Sequence, residues 1–183
     1  MTKGVSHFIG FLGQKPPGTN SSKFKDRCFP RIDATWDYRC PEGRLLPLQG
    51  VIPNRLMQHP DMWDSDREPC LLVVKNGHAT GTTMGRANGP LSVVRTYTLD
   101  ISTHHTSMEW GILNYDSKSE VFSRGGDSGS VIADIRGRIG GMLTGGAGST
   151  ESSDLTYATP FWWLLGRIKA TNRFSQVHLG IDA

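Results

Sequence analysis

The sequence predicts a mainly β protein: an antiparallel barrel of six to seven strands, one C-terminal helix, and an irregular N-terminal segment. Three observations carry this. From Cys70 onward the chain is a series of short β-rich runs separated by Gly, Asn, Asp or Ser clusters. Twenty-two glycines and ten prolines in 183 residues supply many turns. The last apolar stretch alone, after Thr159, has helical periodicity.

The elements follow in order. Residues 1–69 are rich in Pro, Asp, Arg and Lys and lack sustained alternation, and GQKPPGTNSSKFKD reads as loop. Leu45–Leu48 and Val51-Ile52 are short apolar patches, and NRLMQHPDMW suits a helical turn. These are too few for an independent core, so residues 1–69 are expected to be a remnant or lid and 70–183 the barrel with its helix. The strand candidates are LLVVK, TGTTMGR, LSVVRTYTLD, MEWGILNYD, SGSVIAD, RIGGMLTG and DLTYATP. In TPFWWLLGRIKATN, Thr159 is the expected cap and Pro160 the first helical residue. Phe161, Leu164, Leu165 and Ile168 share one face, and Arg167 and Lys169 sit where the helix dipole favours cations.

Composition narrows the function classes. The net charge of +3 is mild and the basic residues form no stripe, so no nucleic acid is expected. No apolar run approaches the roughly 18 residues of a membrane span, and no signal peptide is evident, so a cytoplasmic location is expected. Secretion of a longer form is compatible with this. Cys28, Cys40 and Cys70 lack metal-ligand spacing and read as free thiols, and neither metal nor cofactor is expected.

Chemistry concentrates in VFSRGGDSGSVIADIRGRIGGMLTGG, residues 121–146. Attack on a carbonyl needs an exposed hydroxyl with backbone N–H groups aimed at the developing oxyanion. In Gly126-Asp127-Ser128-Gly129, Ser128 offers the hydroxyl, and Gly126 and Ser128 offer unobstructed N–H groups. Gly129 lets the chain turn into the next strand. The G-x-S-x-G elbow does not apply, because Ser130 stands at its last position and β-structure follows. A Gly-rich turn with a solvated serine is the plain alternative.

The order of GDSGS, GRIGG, TGGAG, TYATP and the final helix resembles the trypsin-like serine proteases of chymotrypsin fold, PA clan, and most of all uncharacterised fungal members. VVKNGHATGTTMGR is similar to the first hairpin of that family's second barrel. The resemblance implies a serine endopeptidase with Ser128 as nucleophile and Gly126 in the oxyanion hole. It implies Phe122 and Ser123 at the specificity pocket, which argues against tryptic preference. Thr144, Gly145 and Gly146 would pair with a peptide backbone as an edge strand. Asp127, which in activated members meets a freshly cut N-terminus, would here hydrogen-bond its own loop.

A serine nucleophile needs an imidazole and a carboxylate to orient it. The family keeps both in a first barrel, and residues 1–69 do not read as six strands. Among six histidines, His7 stands nearest the expected distance upstream of Ser128, with Asp33 as the matching acid and Asp37 beside it. His59 reads as a surface residue, His78 as lying in a hairpin turn on the wrong side of the site, and His104-His105 as a loop. His178 trails the helix.

The first expectation is therefore a truncated or inactive endopeptidase-like protein. The second is an active peptidase with a non-standard base, or one from a partner chain covering the barrel. The third is a peptide-binding module using the Thr144–Gly146 edge.

Overall fold

The computed structural model describes residues 8–10, 45–64, 66–97, 104–116, 119–148 and 155–181. Its elements in order are β1 (Phe8–Gly10), β2 (Leu45–Pro47), α1 (Asn54–Gln58), β3 (Met62–Trp63), β4 (Pro69–Gly77), β5 (Gly81–Tyr97) and β6 (His104–Asn114). β7 (Val131–Asp134), β8 (Ile139–Ala147), β9 (Leu155–Pro160) and α2 (Phe161–Lys169) follow, then a 3-10 turn at Asn172–Phe174.

Six antiparallel strands close into a ring in the order β4-β5-β6-β9-β8-β7, and β7 returns to β4 through Val73↔Asp134, Val74↔Ala133 and Lys75↔Ile132. β3 is added outside β4, and β1 pairs with β2 apart from the ring. Two of the expected runs, TGTTMGR and LSVVRTYTLD, merge into the single 17-residue β5, with a register shift between Ala87 and Leu91. The shift lets one strand follow the barrel's curvature where two were expected.

β4 explains much of the packing. Alternate residues of a strand face opposite sides, and β4 is buried on both. Leu71 and Val73 point into the barrel with Trp110, Ile112, Phe122, Ile132, Leu143 and Ala158. Cys70, Leu72 and Val74 point outward and are covered by Leu46 and Met62, with Ala133 and Ile135 beside them. Ile52 and Met57 of the same covering segment reach the inner cluster. The helical turn lies at Asn54–Gln58, within NRLMQHPDMW. Thus residues 46–62 contribute buried side chains to the barrel's own cores.

A buried charge network fixes this cover. The Asp134 carboxylate, wholly buried, accepts from the N–H groups of Arg136 and Arg138, both at 2.9 Å, and from Arg138 Nε at 2.5 Å. Arg138 reaches on to Asp61 at 2.9 Å and Arg136 contacts the same carboxylate at 2.5 Å. Gln49 N–H donates to Gly137 O at 2.8 Å, and Ile52 N–H to Ile139 O at 2.9 Å.

Cys70 is a free, buried thiol. Burial, then the nearby Asp64 charge, pushes its pKa up to about 11. Since the thiolate is the reactive form, native protein at pH 8 is expected to leave Cys70 unalkylated by iodoacetamide, and urea to expose it. Peptide mass spectrometry reads this directly. Cys28 and Cys40 lie outside the described residues.

α2 covers β8 and β9, with Trp162 packed against the inner cluster. Its cap differs from expectation. Pro160 is the N-cap, with no side-chain cap bond, because the Thr159 hydroxyl donates to Glu109 instead, at 3.1 Å. No helix among the described residues is long and apolar enough to cross a membrane.

Candidate functional site

The loop around Ser128 connects β6 to β7 and is held by its own backbone. Asp127 N–H donates to Arg124 O at 3.1 Å, and Ser130 N–H to Asp127 O at 3.0 Å. The Ser130 hydroxyl donates to that same carbonyl at 2.6 Å. Gly129 N–H donates to Leu143 O at 2.8 Å, and Leu143 N–H returns to Ser130 O at 3.0 Å, which ties the loop to β8. Gly126 and Gly129 have φ of +104° and +86°, a conformation that disfavours any Cβ, so glycine is needed at both. Ser128 between them is exposed. The N–H groups of Gly126 and Ser128 enter none of these bonds. The loop thus presents an exposed Ser128 hydroxyl between two positive-φ glycines.

Asp127 points the other way, into the barrel mouth. Its Oδ1 accepts from Ala79 N–H at 2.7 Å and Thr80 N–H at 3.2 Å. Its Oδ2 accepts from the Thr80 hydroxyl at 2.7 Å and Arg124 N–H at 3.1 Å. Lys75 Nζ lies 3.1 Å from Oδ2, with both side chains 0% exposed. Burial alone would raise the Asp127 pKa. The hydrogen bonds from Thr80, Arg124 and Ala79, with Lys75, outweigh it and hold the carboxyl well below its ordinary range.

The strand pattern explains why Lys75 is there. It follows Leu71 and Val73 on the inward face of β4, so the last inward position is an ammonium at the barrel mouth. It donates also to the Thr80 hydroxyl and to Gly81 O at 3.2 Å, and sits 5.8 Å from the Phe122 ring centre. Several other residues of KNGHATGTTMG bear on this assembly. Gly77 leaves room for Asp127, whose Cγ would lie 2.6 Å from an added Cβ, and Gly81 turns the hairpin with φ of +64°. The Thr83 hydroxyl donates to Phe122 O at 2.6 Å, and an added Cβ at Gly85 would lie 2.8 Å from the Phe122 ring. His78 lies, as expected, in the turn between β4 and β5, which packs against the Asp127 side of the loop, with Ala79 Cβ 3.3 Å from where a Cβ on Gly126 would stand. The carboxylate of Asp127 draws the hairpin in.

The other expected site residues fall as follows. Phe122 is buried in the inner cluster, and its N–H donates to Asn114 Oδ1 at 2.9 Å. Ser123 is buried, with its hydroxyl 2.6 Å from that of Thr156. Thr144, Gly145 and Gly146 lie in β8. Gly145 pairs with Tyr157 and Gly146 with Thr156 of β9, Thr144 sits in the register shift between, and the β7 pairing stops at Met142. His104 and His105 begin β6 instead of forming a loop, and the His104 ring lies 6.0 Å from that of Tyr97. His7, Asp33 and Asp37 lie outside the described residues. Among the described residues no histidine is hydrogen-bonded to Ser128, and no cluster of three metal-ligating side chains exists.

Sequence reading missed Glu109. It stands in MEWGILN as the polar member of an alternating strand, an ordinary solvent-facing position by pattern. The structure leaves it only 7% exposed.

No family model and no curated protein matches this chain. Among solved structures, Thermobifida fusca protease A aligns at 20% identity and a TM-score of 0.44. The alignment covers 70% of this chain and 55% of that one. Cellulomonas bogoriensis chymotrypsin aligns at 17% identity and a TM-score of 0.44, over 70% of this chain and 56% of that one. The chain thus spans little more than half the length of each.

Proposed function

We propose that this chain is a trypsin-like serine endopeptidase homologue of chymotrypsin type that keeps the nucleophile loop on its second barrel and lacks a His-Asp pair of its own, so that its base would have to come from a partner. The observation that carries this reading is the buried Asp127 carboxylate. Five donors hold it inward, so that Ser128 is turned outward between two positive-φ glycines. A solvated Gly-rich turn would need no buried ion pair beneath it. Turnover by the chain alone is expected to be slight, since losing the base of a triad leaves about 10³- to 10⁴-fold over water.

Labelling with a fluorophosphonate probe at neutral and mildly alkaline pH tests the assignment. Slow modification of Ser128, absent in Ser128→Ala, is the expected result. Equal labelling of the two folded proteins, or none in either, would overturn it.

Peptide binding is the second reading, favoured by β8. Residues 144–147 pair with β9 alone once the β7 pairing has stopped, which leaves a strand edge for an added peptide.

A further inference from the structure

Glu109 is a buried carboxylate without a cation. It lies on β6 between Met108 and Trp110. Trp110 and Ile112 point into the barrel, so strand alternation turns Glu109 to the outer face, under the junction of β6, β9 and β8. Its Oε2 accepts the Thr159 hydroxyl at 3.1 Å, and the Thr144 hydroxyl lies 3.4 Å away with the Tyr157 carbonyl as its nearer acceptor at 3.2 Å. Among the described residues no Lys, Arg or His forms an ion pair with it, and Oε1 is not one of the buried polar atoms left without a partner, so it stays open to solvent or to an incoming donor. Burying a carboxylate without a counter-charge is unfavourable unless something else meets it. The Thr159 hydroxyl fixes its direction without neutralising it.

Its location says what would meet it. Thr144 directly follows Leu143, whose carbonyl and N–H hold Gly129 and Ser130 on either side of the Ser128 turn. A fixed negative charge is therefore placed one strand residue away from the tether of an exposed serine.

We propose that Glu109 is the positioning carboxylate for the imidazole that serves Ser128, in the role expected of Asp33. The inference rests on reading Ser128 as the nucleophile. Glu109 Oε1 would accept the N–H of one ring nitrogen, leaving the other nitrogen unprotonated and aimed at Ser128. When Ser128 Oγ bonds to the phosphorus of a fluorophosphonate, fluoride leaves. The hydroxyl proton passes to the free nitrogen, and the imidazolium so formed is stabilised by Glu109.

The test is the labelling rate of the full chain at increasing concentrations of added imidazole, for wild type, Glu109→Gln and Ser128→Ala. Wild type is expected to label slowly without imidazole and to give a rate that saturates as imidazole is added. Glu109→Gln should lose about 10²-fold or more of that rate and become linear in imidazole, because an amide cannot stabilise the cation. The apparent pKa of the wild-type rate profile should lie above that of free imidazole, and this rise should vanish in Glu109→Gln. A packing role alone would not move that pKa. Thr159→Val, which frees the carboxylate but keeps its charge, should fall between the two and decides the matter if Glu109→Gln does not fold. Equal rates and pH profiles across these variants, with Ser128→Ala unlabelled, would overturn the role of Glu109 and leave Ser128 standing. Absence of Ser128 labelling at every imidazole concentration would overturn both.

Discussion

Asp127→Ala should lose about 3–5 kcal/mol of stability, the effect of stranding one member of a buried ion pair. The variant leaves the Lys75 ammonium inside an apolar barrel mouth with Thr80, Gly81 O and the face of the Phe122 ring as neighbours and no counter-charge among them. It also leaves the N–H groups of Ala79, Thr80 and Arg124 without their acceptor. Urea unfolding of Asp127→Ala, Lys75→Met and the double variant separates these contributions. The double variant should be more stable than Asp127→Ala, since replacing both charges removes the stranded one. A loss below about 1 kcal/mol in Asp127→Ala would show that the pair is solvated and the clamp is not rigid.

The same pair sets an acid limit. A carboxyl whose pKa is depressed in the folded state stabilises the fold above its unfolded value of about 3.9, and that contribution is lost as pH falls below it. Wild type should therefore weaken steeply below about pH 4, whereas Lys75→Met/Asp127→Leu should lack this component of the fall.

Gly137→Ala should lose about 3 kcal/mol or more. Gly137 has φ of +82°, where an L-residue is disfavoured by about 1–2 kcal/mol. Space is the larger problem, because an added Cβ would overlap the Pro47 carbonyl oxygen and lie 3.2 Å from its carbon. That carbonyl belongs to the covering segment, which Gln49 joins to the β7–β8 turn through Gly137 O and Arg136 O. The cover must lift or the turn must distort. Gly50→Ala is the control: φ is +71°, yet nothing lies within 4 Å, so only the backbone penalty should appear. Thermal denaturation should show a drop of roughly 10 °C for Gly137→Ala and a third of that for Gly50→Ala. Equal drops would mean that the cover is not seated on this turn.

The barrel was legible because it is written in local patterns. Alternation around LLVVK and MEWGILN, glycine-bounded runs and the apolar face of FWWLLGRIKA each need only neighbouring residues to be read. The GDSG turn was legible for the same reason, since the two glycines that take positive φ, Gly126 and Gly129, stand within one tetrapeptide. What failed to show was whatever depends on an unseen partner. Lys75 looks like any strand-end lysine until Asp127, on a different connection, is placed against it. Glu109 looks like a solvent-facing residue until Thr144, Thr159 and the packing around them enclose it. Leu46, Ile52 and Met62 look too sparse for a core, and they are, since they complete a core that β4 provides.

The seam between β4 and β7 has a consequence for how the chain folds. Those strands lie about sixty positions apart, a long loop to close, and such non-local pairings form late. Asp127 sits just ahead of β7 and Lys75 near the end of β4, so closing the seam and seating the ion pair become one cooperative event. Until then β4 and β7 both present open, apolar edges, the kind that recruit other chains. Any product that stops short of Val131, even one that keeps the serine loop, would be a sheet with an unclosed side, prone to aggregate before it could misfunction.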